Sequence, residues 1–325
     1  MILRRFFRCL ICIILVIGGL VPCIALTISD GITLFEQEKY GQAVHFFSEE
    51  LKTHPDNPVT NFYLGRSFLA LNQAVEALNY LKIAAELTPN NPDYKFWLGL
   101  GYWANMEFEK ERQSYLEALK LNPDHLQANL YLGHSYMDRN QWKAALNQYN
   151  RVLAINPAVP EALYNRALVF RQLGKSVDET NAWKSYLSRY RSGKWALQAA
   201  DYLNDYGDFS YRKYLLGSRR IVVPSINFES DGSLLKTESL PALESIGDVL
   251  TKKRALSLHV ITYAKDNPNL AESRAKVIKK YILDTFPAIE SARLTVSWFG
   301  VSEKIDSANR TYVLNESVNI ITRNK

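Results

Sequence analysis

Between residues 58 and 91 the apolar positions fall into two groups at helical spacing, Phe62, Leu64, Phe68 and Leu69, then Ala77, Leu78, Leu81, Ala84 and Ala85, parted by a short polar turn. Two amphipathic helices packed face to face are expected, with Gly65 and the alanines allowing close approach. The pattern returns every 34 residues: Leu64-Gly65, Leu98-Gly99 and Leu132-Gly133 keep this interval, as do Phe68, Tyr102 and Tyr136, and Leu81, Tyr115 and Tyr149. Pro55, Pro89, Pro123 and Pro157 close successive units, because proline cannot continue a helix. A fixed period of this length means stacked copies of one supersecondary unit. Repeats are expected at 24–57, 58–91, 92–125, 126–159 and 160–193. The first has only Gly31 of the Leu-Gly pair. The fifth is eroded, with Ala167 for Gly, Glu179 for Ala and Arg191 for Pro, and 194–206 reads as a closing amphipathic helix.

After residue 210 the period gives way to alternation. "RRIVVPSINF" reads as a strand, with Pro224 marking an edge or bulge, and 236–253 as a helix carrying Leu240, Leu243, Ile246 and Leu250. Residues 256–264 read as a strand, 268–285 as a helix, and "ARLTVSWFG" and "YVLNESVNIIT" as one strand each. This β-α-β-α-β-β order implies a mixed sheet with helices on one face. The expected fold is α plus α/β: an N-terminal α-solenoid over 26–208, a linker at 209–218 and a second domain at 219–325.

The 34-residue unit, with its Leu-Gly, Tyr, Ala and Pro columns, resembles the tetratricopeptide repeat, of which the chain would hold about five. The resemblance implies a protein-binding groove lined by the fifth, ninth and twelfth positions of each first helix. These are Phe62, Phe96, Leu130 and Tyr164, then Arg66, Leu100, His134 and Leu168, then Leu69, Trp103, Met137 and Arg171. Lys and Asn are absent from the fifth and ninth columns, unlike the carboxylate clamp of chaperone-binding members. An apolar, aromatic groove suits a hydrophobic or helical segment of a partner. The alternative is that these residues pack between repeats.

Residues 219–323 resemble OmpA-like domains through "INFESDGSLLKTES", through "NPNLAESRA" with Asn267, Leu270, Arg274 and Ala275 in register, and through "WFGVSE" and "NESVNII". The resemblance implies peptidoglycan binding, in which Arg274 would take a stem-peptide carboxylate, with Asn267, Asp266 and Asn315 as further candidates. The family's aspartate loop is largely missing, Lys265 stands near its place, and Glu316 and Ser317 replace two arginines. Arg274 alternatively makes a surface ion pair.

Arg4, Arg5 and Arg8, the apolar "CLICIILVIGGLV" and Cys23-Ile24-Ala25, with small residues at the positions a signal peptidase needs, form an export signal over 1–25, or an uncleaved anchor. Either way the bulk of the chain lies outside the cytoplasm. All three cysteines fall in this segment, so a mature chain has no thiol chemistry. Residues 26–209 hold 18 basic and 21 acidic side chains, and 210–325 hold 18 and 12. The basic excess of the second half reads as a solvated surface or as an anionic partner's site.

The five histidines make no metal-ligand spacing, and catalytic or phosphate-loop motifs are absent. Glu107, Glu109 and Glu111 read as a solvated helix face. No cofactor, metal or nucleic acid is expected, and a membrane only through the N-terminal segment. The sequence describes a non-catalytic envelope scaffold, periplasmic or outer-membrane-associated in a Gram-negative-type bacterium, or anchored to the inner membrane facing the periplasm. Its groove would hold a protein or peptide and its second domain would tether to peptidoglycan. The alternative is a protein–protein adaptor throughout.

Overall fold

A computed structural model describes residues 27–230, 232–307 and 309–324. The export-signal or anchor reading of residues 1–25 lies outside them. The chain divides into two compact units, one ending at Ala128 and one beginning at Asn129.

The first unit contains α1 (Ile28–Glu36), α2 (Tyr40–Thr53), α3 (Pro58–Ala70), α4 (Ala74–Leu87), α5 (Pro92–Ala104) and α6 (Phe108–Leu121). A seventh helix, α7 (Leu126–Asp138), spans the division. The second unit continues with α8 (Trp142–Ile155), α9 (Pro160–Gln172), α10 (Ser176–Arg189) and α11 (Lys194–Asp205).

Each helix boundary has a chemical cause that recurs at the repeat interval. The second helix of each of the first four pairs stops two residues before Pro55, Pro89, Pro123 or Pro157. Proline reappears as the first residue of α3, α5 and α9, where its missing N–H costs nothing. Asn57 and Asn91 cap α3 and α5, each side-chain oxygen accepting two backbone N–H bonds. In the same column His125 Nδ1 accepts from Ala128 N at 3.1 Å, so its Nε2–H donates to Asp93 Oδ1 at 3.0 Å.

The glycine column is a contact column. A Cβ at Gly31 would lie 2.6 Å from the Phe47 ring, at Gly65 2.7 Å from Leu81, at Gly99 2.4 Å from Tyr115 and at Gly133 2.8 Å from Tyr149. Where Ala167 stands in the fifth repeat, the facing column holds Trp183, fully buried. The turn between paired helices has a column of its own. Glu38, Asn72, Met106, Asn140 and Gly174 all adopt a left-handed backbone, with φ between 58° and 68°.

In the second unit β1 (Tyr211–Leu216) and β2 (Arg219–Pro224) form an antiparallel hairpin turned at Gly217, φ 67°. Residues 209–218 are therefore not a linker. Tyr214 and Leu216 alternate with the exposed Lys213 and Leu215, and this period-2 signal marks the strand.

A single 3-10 turn (Thr237–Ser239) leads into α12 (Leu240–Lys252), followed by β3 (Leu256–Ala264), α13 (Pro268–Thr285) and β4 (Leu294–Phe299). The region predicted as one closing strand is instead β6 (Arg310–Leu314) and β7 (Glu316–Asn324), broken at Asn315, and β5 (Glu303–Ser307) pairs with β6. The predicted β-α-β-α-β-β order thus gains three strands. β3 lies at the centre of a mixed sheet, parallel to β4 and antiparallel to β7. Alternate residues of β3, Leu256, Leu258, Val260, Thr262 and Ala264, are buried. Leu256, Leu258 and Val260 join the core of Leu243, Ile246 and Leu250 of α12 and Ile278 and Ile282 of α13.

Arg293, 4% exposed, fixes this layer: its guanidinium donates to the carbonyls of Leu250, Lys253 and Leu256, at and just beyond the end of α12, at 2.7–2.9 Å.

At the turn column Met106 is a long apolar side chain in a conformation that suits glycine or asparagine, and it is 78% exposed. Met106→Asn is expected to stabilise the first unit by about 1 kcal/mol. Thermal denaturation alongside hydrogen exchange over residues 27–128 checks this, and the exposed position excludes a packing loss as a competing effect.

Candidate functional site

The predicted groove residues separate by depth. Phe62, Phe96, Leu130 and Tyr164 are 4–9% exposed. Phe62 stacks on Tyr94 at 4.5 Å between ring centroids, and Phe96 on Tyr115 at 5.7 Å. Tyr164 stacks on Trp195 of α11 at 5.0 Å and donates its hydroxyl to Gln198 Oε1 at 2.6 Å; burial pushes its pKa up to about 12. These four side chains are core, and the groove assignment is corrected for them. A large side chain at the fifth position fills space between helices before it can offer itself to a partner.

The ninth and twelfth columns stand further out. In the first unit α3 packs on α5; Arg66, Leu69 and Leu100 are half-buried and Trp103 is 56% exposed. The Arg66 Cζ lies 4.2 Å from the Trp97 ring centroid, 4.5 Å from Phe35, 5.2 Å from Phe62 and 5.3 Å from Tyr63. Its Nε is buried without a hydrogen-bond partner. Burial lowers the Arg66 pKa, partly offset by Tyr63, Asp93 and Tyr40. Sequence reasoning missed Phe35, Tyr63 and Trp97. Phe35 was recoverable as the twelfth column of the first repeat, which the column count omitted.

In the second unit His134 is half-buried between the rings of Tyr131 and Tyr149, 5.6 and 5.8 Å away, and burial lowers its pKa against the pull of Asp138 and Glu161. Met137 Sδ accepts from the Tyr149 hydroxyl at 3.7 Å. Arg171 lies 4.2 Å over the Tyr202 ring and pairs with Glu179 at 3.2 Å and Asp205 at 3.8 Å.

The Ala→Glu erosion at Glu179 is thereby explained. Its carboxylate, 1% exposed, accepts from Arg171, from Trp183 Nε1 at 3.1 Å and from the Tyr206 hydroxyl at 2.7 Å. Glu111, in the same column, is 4% exposed, so it does not belong to a solvated face.

At the candidate peptidoglycan site Arg274 is 2% exposed. Nη1 donates to Glu316 Oε2 at 2.8 Å, Nε donates to the Gly232 carbonyl at 2.8 Å, and the guanidinium lies 4.7 Å over Phe228. Nη2 is buried without a partner, beside a cavity of about 150 Å³ that Asn227, Lys236, Glu316 and Ser317 help to line. The surface ion-pair alternative is half right: the pair exists, but the arginine is buried.

The other candidates lie outside that cavity's lining. Asn267 caps α13, accepting from Leu270 N at 3.0 Å. Asp266 is an exposed turn residue with φ 59°, its N–H donating to the Gly300 carbonyl. Asn315 accepts from Ser302 Oγ at 3.0 Å and, through its carbonyl, from Lys265 N at 2.8 Å. Asp266 and Asn315 thus join the β3–α13 connection to its neighbours while Asn267 caps the helix, and the structure does not gather the four around one ligand position.

Among the described residues no group of three or more His, Cys, Asp and Glu could hold a metal ion, and no helix is long and apolar enough to cross a membrane.

Residues 34–95 match the family described as tetratricopeptide repeat, and residues 133–174 match a second model described as TPR repeat. The helical region is built of tetratricopeptide repeats. Among solved structures, MamA is 20% identical over 51% of this chain and 96% of its own, with a TM-score of 0.47. YrrB, described as a TPR protein with an unusual peptide-binding site, is 17% identical over 53% of this chain and 89% of its own, TM-score 0.47. TTC0263, a thermophilic TPR protein from Thermus thermophilus, is 21% identical over 54% and 95%, TM-score 0.42. No curated protein matches the chain.

Removing Glu179 would leave the fully buried Trp183 N–H without its acceptor and take one partner each from the part-exposed Arg171 and Tyr206. Glu179→Ala is expected to cost the second unit about 2 kcal/mol, the scale of one buried donor left unsatisfied. Chemical denaturation followed by tryptophan fluorescence measures it, with Trp183 and Trp195 as reporters.

Proposed function

We propose that this chain is a non-catalytic adaptor whose tetratricopeptide repeats hold an apolar segment of a protein partner. The observation that carries this is Trp103, 56% exposed at a groove position, while the deeper fifth-position rings are spent on the core. A large apolar side chain left in water at a partner-facing position is how an interface anchor looks before binding. In this proposal the adaptor works outside the cytoplasm, in the periplasm or at the outer membrane, because of the basic, apolar and small-residue order of residues 4–25.

A second reading, a peptidoglycan tether through the OmpA-like resemblance, is favoured by one observation: the unpartnered Nη2 of Arg274 beside its cavity. The Glu316 carboxylate weighs against it, since it already holds Nη1 where a stem-peptide carboxylate would dock.

One experiment separates the two. Purified chain is incubated with envelope extract and, separately, with isolated sacculi. The adaptor reading expects a stoichiometric protein complex from extract, reduced at least about tenfold by Trp103→Asp, and no retention by sacculi. Retention by sacculi that is abolished in Arg274→Ala and increased in Glu316→Gln would establish the tether instead.

A further inference from the structure

Three arginines among the described residues lie over aromatic rings: Arg66, Arg171 and Arg274. Arg171 brings Glu179 and Asp205, and Arg274 brings Glu316, each as an internal counter-charge. Arg66 has the most rings and no carboxylate. Among the described residues the acid that acts on it is Asp93, whose carboxylate is engaged by His125 at 3.0 Å.

Stacking holds the guanidinium plane in place but leaves its in-plane N–H groups without an anionic acceptor. A half-buried, pre-oriented guanidinium with no counter-charge of its own gains most from a carboxylate, which accepts two of those N–H groups at once. Desolvation against four rings makes the added bond stronger than it would be in water. Arg66 stands on α3 at the ninth position, one turn from the twelfth-position Leu69 and against Trp97 of α5. A carboxylate arriving there comes flanked by apolar contacts.

From this geometry we propose that Arg66 is a specificity residue of the groove, reading a single Glu or Asp side chain within an otherwise apolar segment of the partner. The proposal rests on the adaptor function above and narrows its partner. A chain-terminal carboxylate is the poorer match. Its recognition needs several donors converging on both oxygens, and the fifth and ninth columns supply no Lys or Asn to accompany Arg66.

The test uses the full chain from residue 27 and acetylated, amidated apolar peptides in which a single Glu is moved from position to position. Gln counterparts form the second arm, and Gln peptides with a free C-terminal carboxylate the third. Binding is read by fluorescence anisotropy. In at least one register the Glu peptide is expected to bind about tenfold more tightly than its Gln partner, the scale of one charge-assisted hydrogen bond.

Arg66→Gln is expected to remove that preference while retaining the weaker binding of the Gln peptide, and Arg66→Lys to keep part of it. Because Arg66→Gln could disturb the ring stack, the wild-type Arg66 Nε–H resonance supplies a second readout, shifting with the Glu peptide and not with Gln. Equal binding of Glu and Gln peptides in every register would overturn the proposal while leaving the adaptor function intact. So would a preference that survives Arg66→Gln, or one carried only by the free C-terminus. Absence of binding by every peptide overturns it too, and the extract experiment then decides the adaptor function separately.

Discussion

Strand β2 has a core on each side. Val222 joins Leu163, Trp183, Leu187 and Leu203 of the closing helices, while Ile221 and Val223 join the sheet core with Leu243, Val260 and Ile278. That is why "IVV" is a continuous apolar run: alternation is lost when both faces of a strand are covered. The rest of the second unit is arranged around this double burial. The hairpin partner β1 brings Tyr214, whose hydroxyl donates to the Val318 carbonyl of β7, and Arg212, which forks onto Glu303 at 2.8 and 3.1 Å. Against the cost of burial, that carboxylate holds the Arg212 guanidinium above its ordinary pKa. The last repeat and the sheet are therefore packed through a shared strand rather than strung on a flexible segment.

Legibility in the sequence followed the strength of the period. Where a column was occupied by glycine or proline, helix boundaries could be read to within a few residues, since each of these residues acts through local geometry. β3 and α13 were readable for a similar reason, one by its alternation and the other by Pro268 and its apolar spacing. β1 was lost because its alternation is short and carries Lys213 and an exposed Leu215. β5 was lost because "EKIDS" has one strongly apolar residue, and its pairing is decided by β6.

The candidate site was legible in position and not in depth. Column counting found Arg66 and Trp103, and the "NPNLAESRA" resemblance pointed to Arg274, but burial depends on what the neighbouring helix supplies. Tyr164 looks like a groove residue until α11 brings Trp195 and Gln198 over it. The same blindness ran the other way at Glu111, where an acidic residue in a helix suggested solvent and the structure put it inside, as it did Glu179 in the same column. Ionic chemistry between packed helices has no short-range signature in a single sequence.

The next proline of the series would stand at position 191. Arg191 is there instead, its carbonyl accepts the Val222 N–H at 2.9 Å, and Ser192 bridges to Ile221. The backbone that would have led into a sixth pair of helices is hydrogen-bonded into the edge of the hairpin. The array consequently has one sealed end. Whole 34-residue units could be added or deleted among the middle repeats, where each copy presents the same two faces, but not after Arg189 without dissolving β2's pairing. Changes in the length of such a chain over generations would then be confined to its interior, with the sheet carried along unchanged like the handle of an extensible tool.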